Sequence, residues 1–132
     1  MKSLIVDDDF YSRRILQTIF SNYGECHVAV DGKEALFAFE QSLAEEKPYD
    51  IICLDIMMPE MDGQEALKAI RAVEEKKGIF GSDSVKIIMT TALDDSDNIR
   101  TAFREQCESY LLKPISKPKL VKILGDLGLI KE

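Results

Sequence analysis

The sequence predicts an α/β fold: a doubly wound, five-stranded parallel sheet with helices on both faces. Three observations carry this reading. Five short apolar runs alternate with longer amphipathic segments. Several of the runs are apolar at consecutive positions, as strands buried on both faces are. No internal repeat, low-complexity tract or interdomain linker interrupts the 132 residues, so one domain over 1–132 is expected. Strict strand–helix alternation implies parallel strands joined by crossover helices. Five strands favour the order 2-1-3-4-5, in which the order reverses between strands one and three.

The elements follow in turn. The predicted strands are "SLIVD" (3–7), "CHVAV" (26–30), "DIICLD" (50–55), "VKIIMT" (85–90, ending at Thr91) and "SYLLK" (109–113). Between the first two, "YSRRILQTIFSNY" sets Ile15, Ile19 and Phe20 on one helical stripe, with Asp9 as the cap. "GKEALFAFEQSLAEE" does the same with Leu36, Phe39 and Leu43, and "GQEALKAIRAVEEKK" with Leu67, Ile70 and Val73. Asp31 and Glu34, then Asp62 and Glu65, have the spacing of a capping box. "SDNIRTAFREQ" and "KPKLVKILGDLGLI" complete the helices, and "KKGIFGSDS" (76–84) reads as a loop.

Composition narrows the function. Seventeen basic against 24 acidic side chains give a formal net charge of -7, which repels phosphate backbones and anionic lipid. Direct nucleic-acid binding is therefore not expected. Nor is membrane insertion, since no stretch approaches the roughly 20 apolar residues of a span. Cys26, Cys53 and Cys107 are scattered and form no C-x-x-C pair, which fits a reducing cytoplasm. Cys53 reads as a small buried hydrophobe. His27, the only histidine, lies in predicted strand two and reads as structural.

The chemistry gathers where the strands end. Strand one ends in Asp7 and Asp8, strand three in Asp55, strand four in Thr91 and strand five in Lys113. In the predicted order these ends are contiguous, and in such sheets ligands bind beyond the carboxyl ends. Three carboxylates suit a hard divalent cation, and magnesium binds through one or two carboxylates plus phosphate oxygens and water. A carboxylate can also act as a nucleophile towards phosphorus. Asp55, a lone acid ending the apolar run of a central strand, is the natural acceptor. Thr91 and Lys113 would neutralise the transferred group. Each residue alone has a bland reading as a cap, a solvated loop or a strand end; their convergence does not. A flavin site is excluded because Asp7–Asp9 would repel its phosphate. The phosphate-cradling G-x-x-x-x-G-K-[ST] loop is absent, as is a D-x-D-x-T phosphatase motif.

"LIVDD" at 4–8, "LDIMMPEMDG" at 54–63, "MTTA" at 89–92 and "YLLKPI" at 110–115 together resemble the receiver domain of two-component response regulators, over essentially the whole chain. The resemblance implies that Asp55 accepts phosphate from a phosphohistidine of a histidine kinase or histidine phosphotransfer protein. It implies that Asp8 and Asp55 ligate Mg2+ directly, that Asp7 helps through water, and that the Met57 carbonyl completes the protein ligands. Thr91 and Lys113 would contact the phosphoryl group, Tyr110 would be the aromatic switch, and Lys113–Pro114 matches a position where a cis peptide is common in the family. Met57 and Leu93 stand where polar side chains are frequent and would flank an attacking water, whereas Met58 and Met61 read as gap-filling core residues. The implied role is a phosphorylation-activated switch that signals by binding a downstream protein, a self-phosphorylating acceptor rather than an enzyme. The alternative is a receiver-like module that binds partners without phosphorylation. Because the chain stops soon after the fifth helix, a stand-alone, chemotaxis-regulator-like receiver without an output domain is the expectation.

Overall fold

A computed structural model describes residues 1–92 and 96–131, with Ser96 described by its backbone alone. The chain runs β1 (Ser3–Val6), α1 (Phe10–Phe20), β2 (Cys26–Ala29), α2 (Gly32–Ala44), β3 (Ile51–Asp55), α3 (Gly63–Lys76), β4 (Lys86–Thr91), α4 (Ser96–Arg104), β5 (Ser109–Leu112) and α5 (Lys117–Asp126). All the strands are parallel and lie in the predicted order 2-1-3-4-5. The loop expected at 76–84 contains one short 3-10 turn, Gly81–Asp83.

Alternation along the central strands sends successive side chains into two separate cores. Leu4, Val6, Ile52, Leu54, Ile87 and Met89 face α2, α3 and α4, where they pack with Phe39, Leu67, Ile70 and Ala102. Ile5, Ile51, Cys53 and Ile88 face α1 and α5, where they meet Leu16, Phe20, Leu120 and Leu124. The three central strands are buried on both faces, which is why their sequences are almost continuously apolar. The edge strands β2 and β5 are only partly buried.

The capping signals hold, with one variation. Asp9 accepts from the Ser12 N–H, Asp31 from Glu34 and Asp62 from Glu65. The Asp62–Glu65 box is reciprocal, but Glu34 reaches past its cap to the Val30 N–H at 3.0 Å. The α1 stripe needs correction. Leu16, not Ile15, faces the sheet with Ile19 and Phe20, and Ile15 is 47% exposed. Phe20 and Leu16 are one turn apart, so the sheet-facing stripe is centred between them and Ile15 falls outside it. Met58 and Met61 pack against the first core as expected, and so do Leu36, Leu43 and Val73.

At the edge opposite the strand carboxyl ends, a buried ionic network ties α3 to β4, α4 and β5. Arg71 Nη1 donates to Glu74 Oε1 at 2.7 Å and to the Val85 carbonyl at 2.8 Å. Its Nη2 and Nε both donate to the Gln106 carbonyl, and Nη2 also meets the Glu108 carboxylate at 2.9 Å. The two acids in turn accept backbone N–H groups, Glu74 from Val85 and Glu108 from Ile87. Arg71 is held in its planar fork with all its donor nitrogens engaged.

Candidate functional site: an acidic pocket at the carboxyl edge of the sheet

The turn after β1 brings two carboxylates to the pocket and removes the third. Asp9 turns away to cap α1, while the buried Asp7 accepts the Asp9 N–H on Oδ1 at 2.9 Å. Arg13, one turn into α1, donates to the Asp7 carbonyl at 2.9 Å and so fixes the turn from the helix side. Asp55 ends the neighbouring strand β3 and is also buried. Asp7, Asp8 and Asp55 each offer an oxygen, and these oxygens lie within 4.8 Å of one another. Such a set of hard oxygen donors, with Asp8 exposed at the mouth, fits a divalent cation such as Mg2+.

Lys113 supplies the positive charge. Its Nζ lies 2.9 Å from Asp7 Oδ2 and 3.3 Å from Asp55 Oδ2. Its side chain is only 17% exposed, so it belongs to the pocket wall rather than to the open surface expected of a strand end. Burial alone would lower the Lys113 pKa, but the hydrogen bond and charge of Asp7 and the charge of Asp55 outweigh it, and the pKa is raised. At Asp55 the balance goes the other way. Burial, then repulsion from Asp7, push its pKa up to about 6 despite the ammonium. Without a further cation the pocket is thus short of positive charge.

The loop that follows Asp55 is pinned at both ends. Ile56 N–H donates to the Thr90 carbonyl, and Gly63 N–H to the Ile56 carbonyl, each at 2.9 Å. A Cβ at Gly63 would sit 2.1 Å from the Asp55 carbonyl oxygen, so only glycine lets α3 begin this close to Asp55. Met57 N–H donates to Asp55 Oδ1 at 3.3 Å, and its side chain is 59% exposed at the rim. Thr91 ends β4 and is buried. Its backbone carbonyl accepts the Lys113 N–H at 2.8 Å, joining two of the site-bearing strand ends. The Lys113–Pro114 peptide is cis, as the resemblance implied.

Other expectations fall as follows. Tyr110 lies on the α4 side of β5, 39% exposed, with its ring edge-on to Phe103 at 6.0 Å. Leu93 lies outside the described residues. His27 is structural: its ring hydrogen-bonds the Tyr49 hydroxyl at 2.7 Å and Glu25 at 3.1 Å, away from the pocket. Cys26, Cys53 and Cys107 are free, and burial raises the pKa of all three thiols, making them poor nucleophiles. Sequence reasoning missed Arg13 and Arg71: neither carries a sequence signal that separates it from a charge on a solvated helix face.

Lys113→Ala tests the pocket's internal balance. Removing the ammonium leaves Asp7 and Asp55 uncompensated, so the metal-free protein should lose about 1–3 kcal/mol at pH 7.5. Added Mg2+ should restore that loss and bind more tightly than in wild type, because a competing cation has gone. Urea midpoints with and without Mg2+ check this, and unchanged Mg2+ affinity would contradict it.

A doubly wound sheet with three acids and a lysine at its carboxyl edge defines a class of small α/β proteins with an acidic, cation-seeking pocket. The family model for the response regulator receiver domain matches residues 3–125, and the chain belongs to that family, whose setting is two-component and phosphorelay signalling. It is 38% identical over 120 residues to the "Probable transcriptional regulator ycf27" of Guillardia theta, covering 90% of this chain and 42% of that protein. The chain therefore spans less than half the length of that curated relative. Among solved structures it resembles a chain of the co-crystal of the Saccharomyces cerevisiae phosphotransfer protein Ypd1 with the receiver domain of Ssk1. There the TM-score is 0.81 at 28% identity, covering 100% of this chain and 93% of that one. It also resembles a chain of the CheX-CheY-BeF3-Mg+2 complex from Borrelia burgdorferi, with TM-score 0.81 at 25% identity, covering 98% and 90%. Among the described residues no helix is long and apolar enough to cross a membrane.

Proposed function

We propose that the chain is a phosphorylation-activated switch that takes a phosphoryl group onto Asp55 from a phosphohistidine of a histidine kinase or phosphotransfer protein. The observation that carries this reading is the meeting of Asp7, Asp8 and Asp55 oxygens within 4.8 Å, with Lys113 Nζ bridging Asp7 and Asp55. An Asp55 carboxylate oxygen attacks phosphorus, the P–N bond to the imidazole breaks, and the leaving imidazole takes up a proton. Asp8 and Asp55 would hold Mg2+ directly, Asp7 through water, and the Met57 carbonyl would complete the protein ligands. When bound, the ion neutralises the acids and the equatorial phosphoryl oxygens. Lys113 and the Thr91 hydroxyl would contact the same oxygens, and Tyr110, against Phe103 of α4, would report the change to a downstream protein. Two similar structures, one of a receiver domain with a phosphotransfer protein and one with beryllium fluoride and magnesium, support the donor class and the cofactor. The free cysteines fit a cytoplasmic setting.

Intact mass after incubation with acetyl phosphate and Mg2+ tests the proposal. One phosphoryl group should be gained with Mg2+ and none in excess chelator. A gain that persists in chelator would overturn it.

A pH dependence follows from the raised Asp55 pKa. Mg2+ binding must displace the proton that Asp55 holds below about pH 6. Affinity should be constant above pH 7 and fall about tenfold for each pH unit below 6 while a single proton is displaced. Titrations at pH 5, 6 and 7.5 check this, and a flat profile would contradict it.

A further inference from the structure

Asp8 is exposed, yet its carboxylate lies within 4.8 Å of oxygens on the buried Asp7 and Asp55. No hydrogen bond or ion pair among the described residues fixes that side chain. Its place at the mouth of the pocket is therefore set by the backbone that carries it.

That backbone has an anchor on each side of Asp8. On the strand side, the Asp7 N–H donates to the Ala29 carbonyl at 3.2 Å. On the helix side, the Asp9 N–H donates to Asp7 Oδ1 at 2.9 Å, and Asp9 caps α1 through the Ser12 N–H. The peptide joining Asp7 to Asp8 lies between these anchors, and the bond on it comes from Arg13, whose Nη1 donates to the Asp7 carbonyl at 2.9 Å. The guanidinium is itself located by the Phe10 ring, 5.7 Å from the ring centroid. A bond from a charged donor is roughly twice as strong as a neutral one.

Neither the helix nor the pocket gains from a positive charge at this position. A helix disfavours cations near its amino end, which is where Arg13 lies in α1. A fixed cation beside the acids also repels an incoming dication. What Arg13 supplies is the orientation of one peptide.

We propose that Arg13 is a positioning residue for the divalent cation: it holds the Asp7–Asp8 peptide so that the exposed Asp8 carboxylate is presented to the pocket before the ion arrives. The proposal rests on the magnesium reading of the pocket. Without the Arg13 bond, the peptide must be fixed when the ion binds. Fixing the backbone of one residue costs the equivalent of about five- to thirtyfold in affinity. The anchors at Ala29 and Asp9 remain, so the lower end of that range applies.

Arg13→Met keeps an unbranched side chain and removes the donor and the charge. Mg2+ affinity, measured by titration calorimetry at pH 7.5, should fall about fivefold. Loss of the charge alone would have the opposite sign and tighten binding. In the metal-free variant the backbone order parameter at Asp8 should drop from the rigid value of about 0.85 towards 0.6, and saturating Mg2+ should restore it. Order from Leu16 to Phe20 should not change. Arg13→Gln, neutral and shorter than arginine, should give the same result and stands in if the first variant folds poorly. Unchanged or tighter Mg2+ binding, in a wild type that binds the ion, overturns the proposal. So does a loss of order that extends equally through α1, since Arg13 would then only support the helix. Should wild type bind no Mg2+, the magnesium reading fails, and the order parameter at Asp8 still decides whether Arg13 holds the turn.

Discussion

Asp55→Asn is expected to gain no phosphoryl mass under any condition that phosphorylates wild type, and to be more stable than wild type without metal. Both effects come from one carboxylate. As the proposed acceptor it is the carboxylate that Lys113 and the metal would position for attack, and an amide in its place has no comparable nucleophile. As a buried charge it is a burden. Its folded-state pKa of about 6 lies above the ordinary carboxylate value of 3.8, so the folded protein holds the proton more tightly than the unfolded chain. The cost is absent below pH 4, grows as pH rises from about 4 to 6, and is full above that. At pH 7.5 it amounts to about 2–3 kcal/mol, which the asparagine variant should recover. Urea midpoints at pH 7.5 and pH 4 provide the check: the variant should be ahead at the first and level at the second. Equal midpoints at both would mean that Lys113 already balances the pocket, and the need for a metal would lose its physical basis.

The largest loss of stability is expected from Arg71→Ala. The buried Glu74, with 4% of its side chain exposed, and the partly buried Glu108 would then be left without their shared cation. Breaking a buried pair by removing one partner costs about 3–5 kcal/mol. Burial already raises the Glu108 pKa. Without Arg71 it should rise further, so the penalty should shrink as pH falls and the acids take up protons. Arg71→Lys should recover only part of the loss, since an ammonium cannot span Glu74, Glu108 and two carbonyls at once. A penalty under about 1 kcal/mol at pH 7 would show that the network only decorates an edge held by its apolar neighbours.

Most of the architecture was legible because local chemistry and topology agree. Central strands buried on both faces must be apolar at every position, and Asp9, Asp31 and Asp62 mark helix starts at the residues where they cap. The pocket was legible for a related reason: once strand order is known, strand ends become neighbours, and Asp7, Asp55, Thr91 and Lys113 are all strand ends or next to one. What escaped depends on orientation and distance. Ile15 and Leu16 are adjacent and equally apolar, and only the seating of α1 on the sheet decides which is covered. Arg71 and Glu108 are 37 residues apart, and nothing local to either reports the other. The burial of Lys113 is not written in its local sequence, since a lysine at a strand end ordinarily reaches into water; here two buried acids draw it inward.

The sheet separates two apolar cores that share no side chain, one roofed by α2, α3 and α4 and the other by α1 and α5. Side chains on opposite faces of a sheet have no common neighbours to relax into, so perturbations on the two sides should add. Leu67→Ala and Leu16→Ala remove fully enclosed leucines from different cores, at about 2–5 kcal/mol each. Their double variant should match the sum to within about 0.5 kcal/mol. The two layers are thus independent fields of variation. Sequence drift behind one need not be compensated behind the other, and a hardened variant of this chain can be assembled one layer at a time.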